Sequence, residues 1–285
     1  MNQRSILPNF LNRIIMSRVF LNGIYFLKLV FGNRRMLLSL AATDFRKHYL
    51  SSYLGLFWAI IHPIATTSIM WFVFQLAFKA KPVNEVPFIL WLISGLFPWF
   101  YFSDAAISST SSLIEHDYLI KKMVFPIGTL PIVKILSSVL IHFVFLSILI
   151  ILLVIYGAKP SWYWFQLPYY TFALSVFLLG LSWVLSSLTV FIRDISQIVS
   201  MSIQIGFWAT PLLWSPDLLA DNNRWIADLN PIYYIINGYR GSLLFEKPIL
   251  ENPAQILYFW IFTTVLLFLG SLTFQKLKPH FADVL

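Results

Sequence analysis

Six long apolar stretches dominate this sequence and are difficult to reconcile with a water-soluble fold. A helix that crosses a bilayer spans a hydrocarbon core about 30 Å thick, which takes roughly 20 mostly apolar residues. We therefore predict an all-α integral membrane protein with six transmembrane helices, at residues 54–78, 87–107, 127–155, 168–191, 198–214 and 254–274. These spans define a membrane domain at 54–275, with an extension at 1–33 and a further helix at 34–53 before it and a tail at 276–285 after it.

Composition agrees with this fold class and excludes several kinds of chemistry. Hydrophobic residues make up 59% of the chain and charged residues only 11%, against roughly 25% charged residues in an ordinary soluble domain. The sequence has no cysteine, which excludes disulfides, thiolate nucleophiles and cysteine metal sites. It also lacks the phosphate-loop, zinc-protease and serine-hydrolase motifs, so we expect no catalytic residue, metal site or cofactor on this chain.

The basic residues predict how the chain is oriented. With a cytoplasmic N-terminus, the inner segments and inner helix ends carry 14 of the 20 Lys and Arg residues, and the outer segments carry six, balanced by six acids. Such a bias in short loops sets membrane topology. We expect a multi-pass protein of a bacterial inner (plasma) membrane with both termini cytoplasmic. The excess of basic residues on the inner side then explains the basic pI, and we expect no nucleic-acid partner.

The segment at 34–53 has the pattern of an amphipathic interface helix. Its apolar residues recur at helical spacing, at Leu37, Leu38, Ala41, Phe45 and Tyr49. Its basic residues lie on other faces, at Arg34, Arg35, Arg46 and Lys47. This pattern is typical of a helix that lies on an anionic membrane surface. An alternative is that the polar face, with Asp44 beside Arg46, also docks a cytoplasmic partner; periodicity leaves both open.

Two further segments lie outside the spans. Between spans two and three, Ser112 and Glu115 form a capping-box pattern that predicts one short helix to about Lys122. This helix is either a surface for another protein or a solvated interfacial helix. The outer segment 215–253 is too broken to span and too apolar for an exposed loop, so we predict broken re-entrant helices. Within it, Arg240 either snorkels to lipid phosphates or acts in gating or substrate contact.

Two spans have the residues of a passage lining. In span five, Gln197, Ser200 and Gln204 form a polar stripe, and polar residues inside a membrane helix generally face protein or water. Span two carries an aromatic cluster, and flat aromatic faces suit the apolar faces of sugar rings, although aromatic belts at the interfaces are an alternative. His62 and His142 are either proton-relay groups or hydrogen-bond partners between helices. The pore-lining candidates are Trp58, Trp71, Phe97, Trp99, Phe100, Tyr101, Gln197, Ser200, Gln204, Phe207 and Trp208.

A series of short motifs carries a resemblance to a known family. They are DFR at 44–46, YLGLFW at 53–58, GLFPW at 95–99, IKK at 120–122, FP at 125–126, RD at 193–194, TP at 210–211, LNPIYY at 229–234, GYR at 238–240 and PHFAD at 279–283. With these motifs in this order, the chain resembles the membrane permeases of ABC transporters that export lipid-linked cell-surface polysaccharides, including teichoic acid, O-antigen and capsule exporters. The resemblance covers nearly everything after residue 35.

The resemblance implies partners and residue roles. Two copies of the chain would form the pore above two copies of a separate ABC ATPase, which binds the ATP and Mg. A polyprenyl-diphosphate-linked glycan would enter at the inner leaflet, with Arg34, Arg35, Arg46 and Lys47 as diphosphate candidates. ATPase contacts would fall on Asp44, Arg46, Lys47, Ser112, Glu115, Asp117, Tyr118, Lys121 and Lys122. The outer helices would form an exit gate with Trp225, Asn230, Pro231, Tyr233, Tyr234 and Arg240.

Three questions stay open at this point. An ATPase-independent secondary carrier or a membrane scaffold would also be a six-span protein, although carriers often pair their broken helices at the bilayer midplane. An ABC exporter of a small lipid or drug would differ mainly in its pore lining. Among polymers, the motifs at 167–170 and 229–234 lean slightly toward teichoic acid, whereas GLFPW at 95–99 suits O-antigen exporters equally well.

Overall fold

The computed structural model describes residue 28 and residues 30–49, 55–79, 86–121, 126–216, 223 and 225–285. Within these ranges the chain is helical and has no β-strand, which confirms the all-α fold class. Most of the predicted extension at 1–33 lies outside the described residues, and so does Lys122.

The described helices are numbered here along the chain. They are α1 (Arg34–Tyr49), α2 (Gly55–Trp71), α3 (Phe88–Thr110), α4 (Ser112–Glu115), α5 (Asp117–Lys121), α6 (Leu130–Ile155), α7 (Leu167–Phe191), α8 (Ile195–Ala209), α9 (Trp225–Asp228), α10 (Pro231–Leu244), α11 (Pro253–Leu277) and α12 (Phe281–Val284). A π-helical segment, Phe72–Ala77, continues α2.

Five helical segments in the described part of the chain are long and apolar enough to cross a membrane. They are Phe57–Ala77, Phe88–Thr110, Ile127–Ile155, Trp162–Phe191 and Pro253–Val284. The third coincides with the predicted span at 127–155.

The predicted fifth span, 198–214, is replaced by the shorter helix α8. Its 15 residues reach about 22 Å at 1.5 Å per residue, less than the hydrocarbon core. The helix ends at Ala209 because Thr210 precedes Pro211 and is extended, with φ −81° and ψ 140°; a residue before proline is disfavoured in the α region.

Proline and asparagine define where several helices begin. Pro131, Pro168 and Pro253 occupy the first turns of α6, α7 and α11, where a missing backbone N–H costs nothing. The side chain of Asn230 accepts a hydrogen bond from the Ile232 N–H at 3.0 Å and caps α10, as is typical of asparagine at helix N-termini.

Helix α3 is the centre of the bundle. Of its 23 residues 17 are buried, and it packs against α6, α7, α8 and α10. By contrast, only 6% of the apolar window in Phe57–Ala77 is buried within this chain. The surface of α2 is therefore available to lipid or to another protein.

Helices α7 and α11 cross in close contact at two glycines. A Cβ atom on Gly180 would lie 2.8 Å from the backbone nitrogen of Leu267, and one on Gly270 would meet the backbone of Gly180. Small residues allow such backbone contact between membrane helices. The obstructing atoms are backbone, so they cannot rotate away.

We expect Gly180→Ala to destabilise the protein by about 1–3 kcal/mol, the usual cost of overpacking, because α7 and α11 must separate. Thermal unfolding in detergent measures this effect. Gly32→Ala is the matched control, since a Cβ there has nothing within 4 Å. Equal melting temperatures for the two variants would contradict the prediction.

The helix predicted at 34–53 is present as α1 over its described residues, and its buried face differs in part from the predicted one. Leu37, Ala41 and Asp44 are buried, whereas Leu38 is 60% exposed. Leu37 and Ala41 form a small core with Val133 of α6. The acidic residue Asp44 therefore extends the buried face that Leu37 and Ala41 form. The position of α1 in the bilayer interface stays a prediction.

The predicted helix from Ser112 to Lys122 is two shorter helices. The backbone of His116, with φ −117° and ψ 30°, interrupts it between α4 and α5. The capping-box prediction is also wrong: Ser111 is the N-cap residue and makes no side-chain cap, and Glu115 bonds to Lys134 of α6 instead. The tertiary ion pair with Lys134 takes the place of the local capping hydrogen bond of Glu115.

Candidate functional site

A groove of about 680 Å³ lies between α2, α3, α6 and α8. Aromatic side chains form much of its wall, and Trp99 of α3 meets Phe207 of α8 edge to face, with ring centroids 6.0 Å apart. The pore-lining candidates that the structure places on this groove are Trp58, Trp99, Phe100, Tyr101, Ser200, Gln204, Phe207 and Trp208. The predicted spans two and five, which correspond to α3 and α8, thus both contribute to the groove wall.

Three pore-lining candidates lie outside the groove wall. Phe97 is buried behind it and packs on Phe145 with centroids 5.3 Å apart. Trp71 is half-buried at the far end of α2, and Gln197 is exposed one turn before Ser200. Gln197 shares the helical face of Gln204, but the groove ends before reaching it.

A buried polar network supports the groove from behind. The His142 ring, fully enclosed, stacks on Tyr101 with centroids 4.9 Å apart, and its Nε2 lies 2.8 Å from the Tyr239 hydroxyl. That hydroxyl is also 2.7 Å from Thr171 Oγ1. His142 therefore joins α6 to α10 and α7, as its hydrogen-bond alternative predicts. His62 lines the groove from α2.

At one end of the groove, a hydrogen bond joins α1 to α3. The Tyr49 hydroxyl donates to Asp104 Oδ2 at 2.6 Å, and His48 Nε2 lies 3.8 Å from Asp104 Oδ1. Burial and the neighbouring Asp104 carboxylate raise the pKa of Tyr49 well above its usual value, so this hydroxyl keeps its proton and remains a donor. This hydrogen bond thus connects α1 to the groove wall.

At the opposite end, Arg240 of α10 is enclosed by protein. Its guanidinium donates to the carbonyls of Pro211 at 2.8 Å, Leu212 at 2.9 Å and Trp91 at 3.3 Å. It also lies over the Trp91 ring, 3.6 Å from the centroid. Only 3% of Arg240 is exposed, so the alternative in which it snorkels to lipid phosphates is wrong for this structure.

The other gate candidates surround this anchor. Asn230 donates to Thr210 Oγ1 at 2.8 Å, and the hydroxyls of Tyr234 and Tyr169 are 3.0 Å apart. Pro231 begins α10, Tyr233 is half-buried, and Trp225 is 57% exposed on α9. Asn230 and Tyr234 thus connect α10 to the turn after α8 and to α7. Their gating role, and a re-entrant position of α9 and α10, stay predictions.

Comparison with known proteins identifies the family. Residues 35–244 match the family model described as ABC-2 type transporter. The chain belongs to this family. Two O-antigen export system permease proteins RfbA from Klebsiella pneumoniae are 32% and 31% identical to it over 252 residues, 88% of this chain and 95% of each relative. The protein of the same name from Myxococcus xanthus is 25% identical over 253 residues, with the same coverage.

Membership in the ABC-2 family narrows the alternatives left open by the sequence. An ABC transporter is driven by ATP, so the secondary-carrier and scaffold interpretations are disfavoured. The named relatives are O-antigen proteins, so these comparisons give no support to the slight lean toward teichoic acid.

The ATPase-contact candidates of this ABC-2 transporter divide into buried residues and residues that are at least partly exposed. On α5, Asp117 bonds to Lys121 Nζ at 3.2 Å and to the Tyr118 N–H at 2.7 Å, and these bonds lower the pKa of Asp117. Asp44 and Ser112 are buried, so their side chains face the interior of the described chain. Glu115 is exposed, but its carboxylate is bonded to Lys134. The candidates left for a partner surface are therefore Arg46, Lys47, Asp117, Tyr118 and Lys121.

The four diphosphate candidates all lie on the transporter's α1. Arg34, Arg35, Arg46 and Lys47 are exposed there, and the groove wall that the structure describes is formed by other residues. Any contact of these residues with a diphosphate would therefore lie outside the described groove wall. Their role stays a prediction.

Sequence patterns missed two groups of residues in this transporter. Lys134 joins α6 to α1 and α4, and its only sequence signal is a lysine inside an apolar run. Phe281 of α12 is fully buried in a cluster with Leu113 of α4 and Ile120 of α5. Phe281 belongs to the PHFAD motif at 279–283, but the motif does not indicate that Phe281 contacts α4 and α5.

Proposed function

We propose that this chain is the membrane permease of an ATP-driven exporter of polyprenyl-diphosphate-linked polysaccharide. The exporter moves its substrate from the cytoplasmic to the outer side of the bacterial inner membrane. O-antigen-type glycan is the favoured cargo, because the named relatives are O-antigen export permeases.

The groove is the observation that carries this proposal. It combines a volume of about 680 Å³ with aromatic walls and the polar groups Ser200, Gln204 and His62. Aromatic faces accept sugar rings without requiring one hydrogen-bond pattern, which suits a long polymer that slides. A small-drug site would instead enclose most of its ligand in a closed pocket.

A second copy of the chain would complete the passage. The apolar window of Phe57–Ala77 is 6% buried, and α8 exposes Ile198, Met201, Ile205 and Trp208. These two helices flank the open side of the groove. A homodimer that pairs the groove with its counterpart would cover these surfaces and form a channel.

Energy would come from two copies of a separate ABC ATPase that bind ATP and Mg. Support comes from family membership and from the absence of a phosphate-loop motif in the sequence. ATP binding would bring the ATPases together and displace α4 and α5. Both termini would face the cytoplasm, in keeping with the distribution of Lys and Arg.

The proposal is tested by deleting the gene in its host and by purifying the tagged protein in detergent. We expect deletion to abolish surface polysaccharide and to leave lipid-linked glycan inside the cell. The purified complex should contain two permease copies and two ATPase copies and should hydrolyse ATP. Glycan extracted from the same cells should stimulate hydrolysis.

Complementation with the wild-type gene is the control for the deletion. A chain that purifies without an ATPase would contradict the proposed exporter. Stimulation by a small amphiphile but not by extracted glycan would assign the transporter to small-lipid export instead.

A further inference from the structure

Lys134 of α6 is a buried cation at the meeting point of three helices. Its Nζ atom donates to Asp44 Oδ1 of α1 at 2.6 Å and to Glu115 Oε2 of α4 at 2.6 Å. The lysine and Asp44 side chains are 3% and 5% exposed. One ammonium group therefore joins a membrane-spanning helix to the interface helix and to the cytoplasmic segment.

Such a link differs from apolar packing because each partner depends on the others. Removing one member of a buried ion pair leaves an uncompensated charge and is strongly destabilising. An ion pair is also directional, whereas apolar surfaces can slide over one another. A displacement of α4 large enough to break its bond to Lys134 must therefore be followed by α6 or change the electrostatics of the cluster.

The two carboxylates are not equivalent. Asp44 is enclosed, and the contact of Leu37 and Ala41 with Val133 holds α1 on α6 beside it. The Glu115 side chain is 41% exposed, so water can replace its bond to Lys134. When a partner displaces α4, the Glu115 bond is the one that can open, while the Asp44 bond persists.

The same interface helix continues to the groove. Five residues after Asp44, the Tyr49 hydroxyl donates to Asp104 of α3 at 2.6 Å, on the groove wall. Bonded contacts thus run from α4 through Lys134 and α1 to the groove. A contiguous chain of bonded contacts is a physical route by which two sites can be coupled.

We propose that Lys134 is a positioning residue that transmits displacement of α4 and α5 to α1 and the groove, with Glu115 as its releasable partner. This inference rests on the proposed function, because it requires an ATPase that moves these helices. Asp44 would keep α1 attached to Lys134 throughout the cycle. The groove end at Tyr49 would then respond to the state of the ATPase.

A variant in which Lys134, Asp44 and Glu115 are all replaced by uncharged residues distinguishes this role from a purely structural one. The triple variant Lys134→Met, Asp44→Asn, Glu115→Gln removes all three charges together, so it avoids the uncompensated buried charge that makes the loss of a single partner strongly destabilising. We expect the complex to assemble and hydrolyse ATP. Glycan moved per ATP should fall about tenfold, within the roughly 5–150-fold range of typical coupling between sites.

The assay uses proteoliposomes of the co-purified complex with lipid-linked glycan extracted from the host. Phosphate release on addition of external ATP reports hydrolysis by complexes whose ATPase faces outward, and the loss of glycan accessible to a lectin added outside reports translocation into the lumen. Glu251→Gln is the matched control, because it breaks the half-exposed pair of Lys247 and Glu251, 2.8 Å apart and away from the groove wall. Lys134→Arg, which keeps a cation between the carboxylates, should retain most of the wild-type ratio.

A ratio of glycan to ATP that is unchanged in the triple variant would overturn the inference, whether or not both rates fall. If the triple variant does not assemble, Glu115→Gln alone decides by the same ratio, since its side chain is partly solvated. A wild-type complex that moves no glycan would contradict the proposed function itself. The two failures are therefore distinguishable.

Discussion

Replacing Arg240 with Met is expected to lower the free energy of unfolding by about 3 kcal/mol or more, because hydrogen bonds from charged groups contribute about 1.5–3 kcal/mol each. The substitution leaves the buried carbonyls of Pro211, Leu212 and Trp91 without this donor. It also removes the guanidinium from the Trp91 ring. For a chain of this size, the loss corresponds to roughly 6–12 °C in melting temperature.

Two further variants make this measurement specific. Arg240→Lys keeps the charge, but one compact ammonium cannot reach three carbonyls and also stack on an indole, so we expect it to recover less than half of the loss. Lys276→Met removes a cation from an exposed position on α11 and should leave the melting temperature unchanged. If Arg240→Met unfolds like Lys276→Met, the anchoring role of Arg240 is wrong.

Filling the groove should have the largest effect on export. Ser200 lines it from α8, and its hydroxyl is already bonded to the Ser196 carbonyl at 2.9 Å. We expect Ser200→Trp to reduce surface polysaccharide at least tenfold, an effect of about 1.4 kcal/mol on the rate-limiting barrier, because the indole would occupy space that the glycan must pass. The complex should still assemble with its ATPase.

Val265→Trp is the control for this substitution. Val265 is 52% exposed on α11, a helix that contributes nothing to the described groove wall. It introduces the same side chain into a membrane helix away from the passage, and export should stay at the wild-type level. Equal export by Ser200→Trp and wild type would show that glycan takes another path.

Local sequence predicted the elements whose determinants are local. A long, mostly apolar run at 127–155 is sufficient to specify a long helix, and the structure has a helical segment with the same bounds. The predicted span at 198–214 fails in its second half because Pro211 limits the conformation of Thr210. The effect of Pro211 on the preceding residue is also local, so the sequence alone is sufficient to predict this helix end.

The candidate site was predictable in part. Polar residues three and four apart on a helix share one face, so Ser200 and Gln204 could be assigned to a common lining. Phe97 was misassigned because an aromatic cluster on one helix does not indicate which rings a neighbouring helix will cover. Only the position of Phe145 on α6 decides that Phe97 lies behind the wall.

The sequence by itself determined a helical membrane protein, most of its spans and its family, because apolar length and short motifs are properties of contiguous residues. The tertiary structure decided which charges are structural. Lys134 pairs with Asp44 across 90 positions and Arg240 bonds to Trp91 across 149. No local period relates such residues. A charge at low dielectric requires a partner, and only the packing of the helices supplies one.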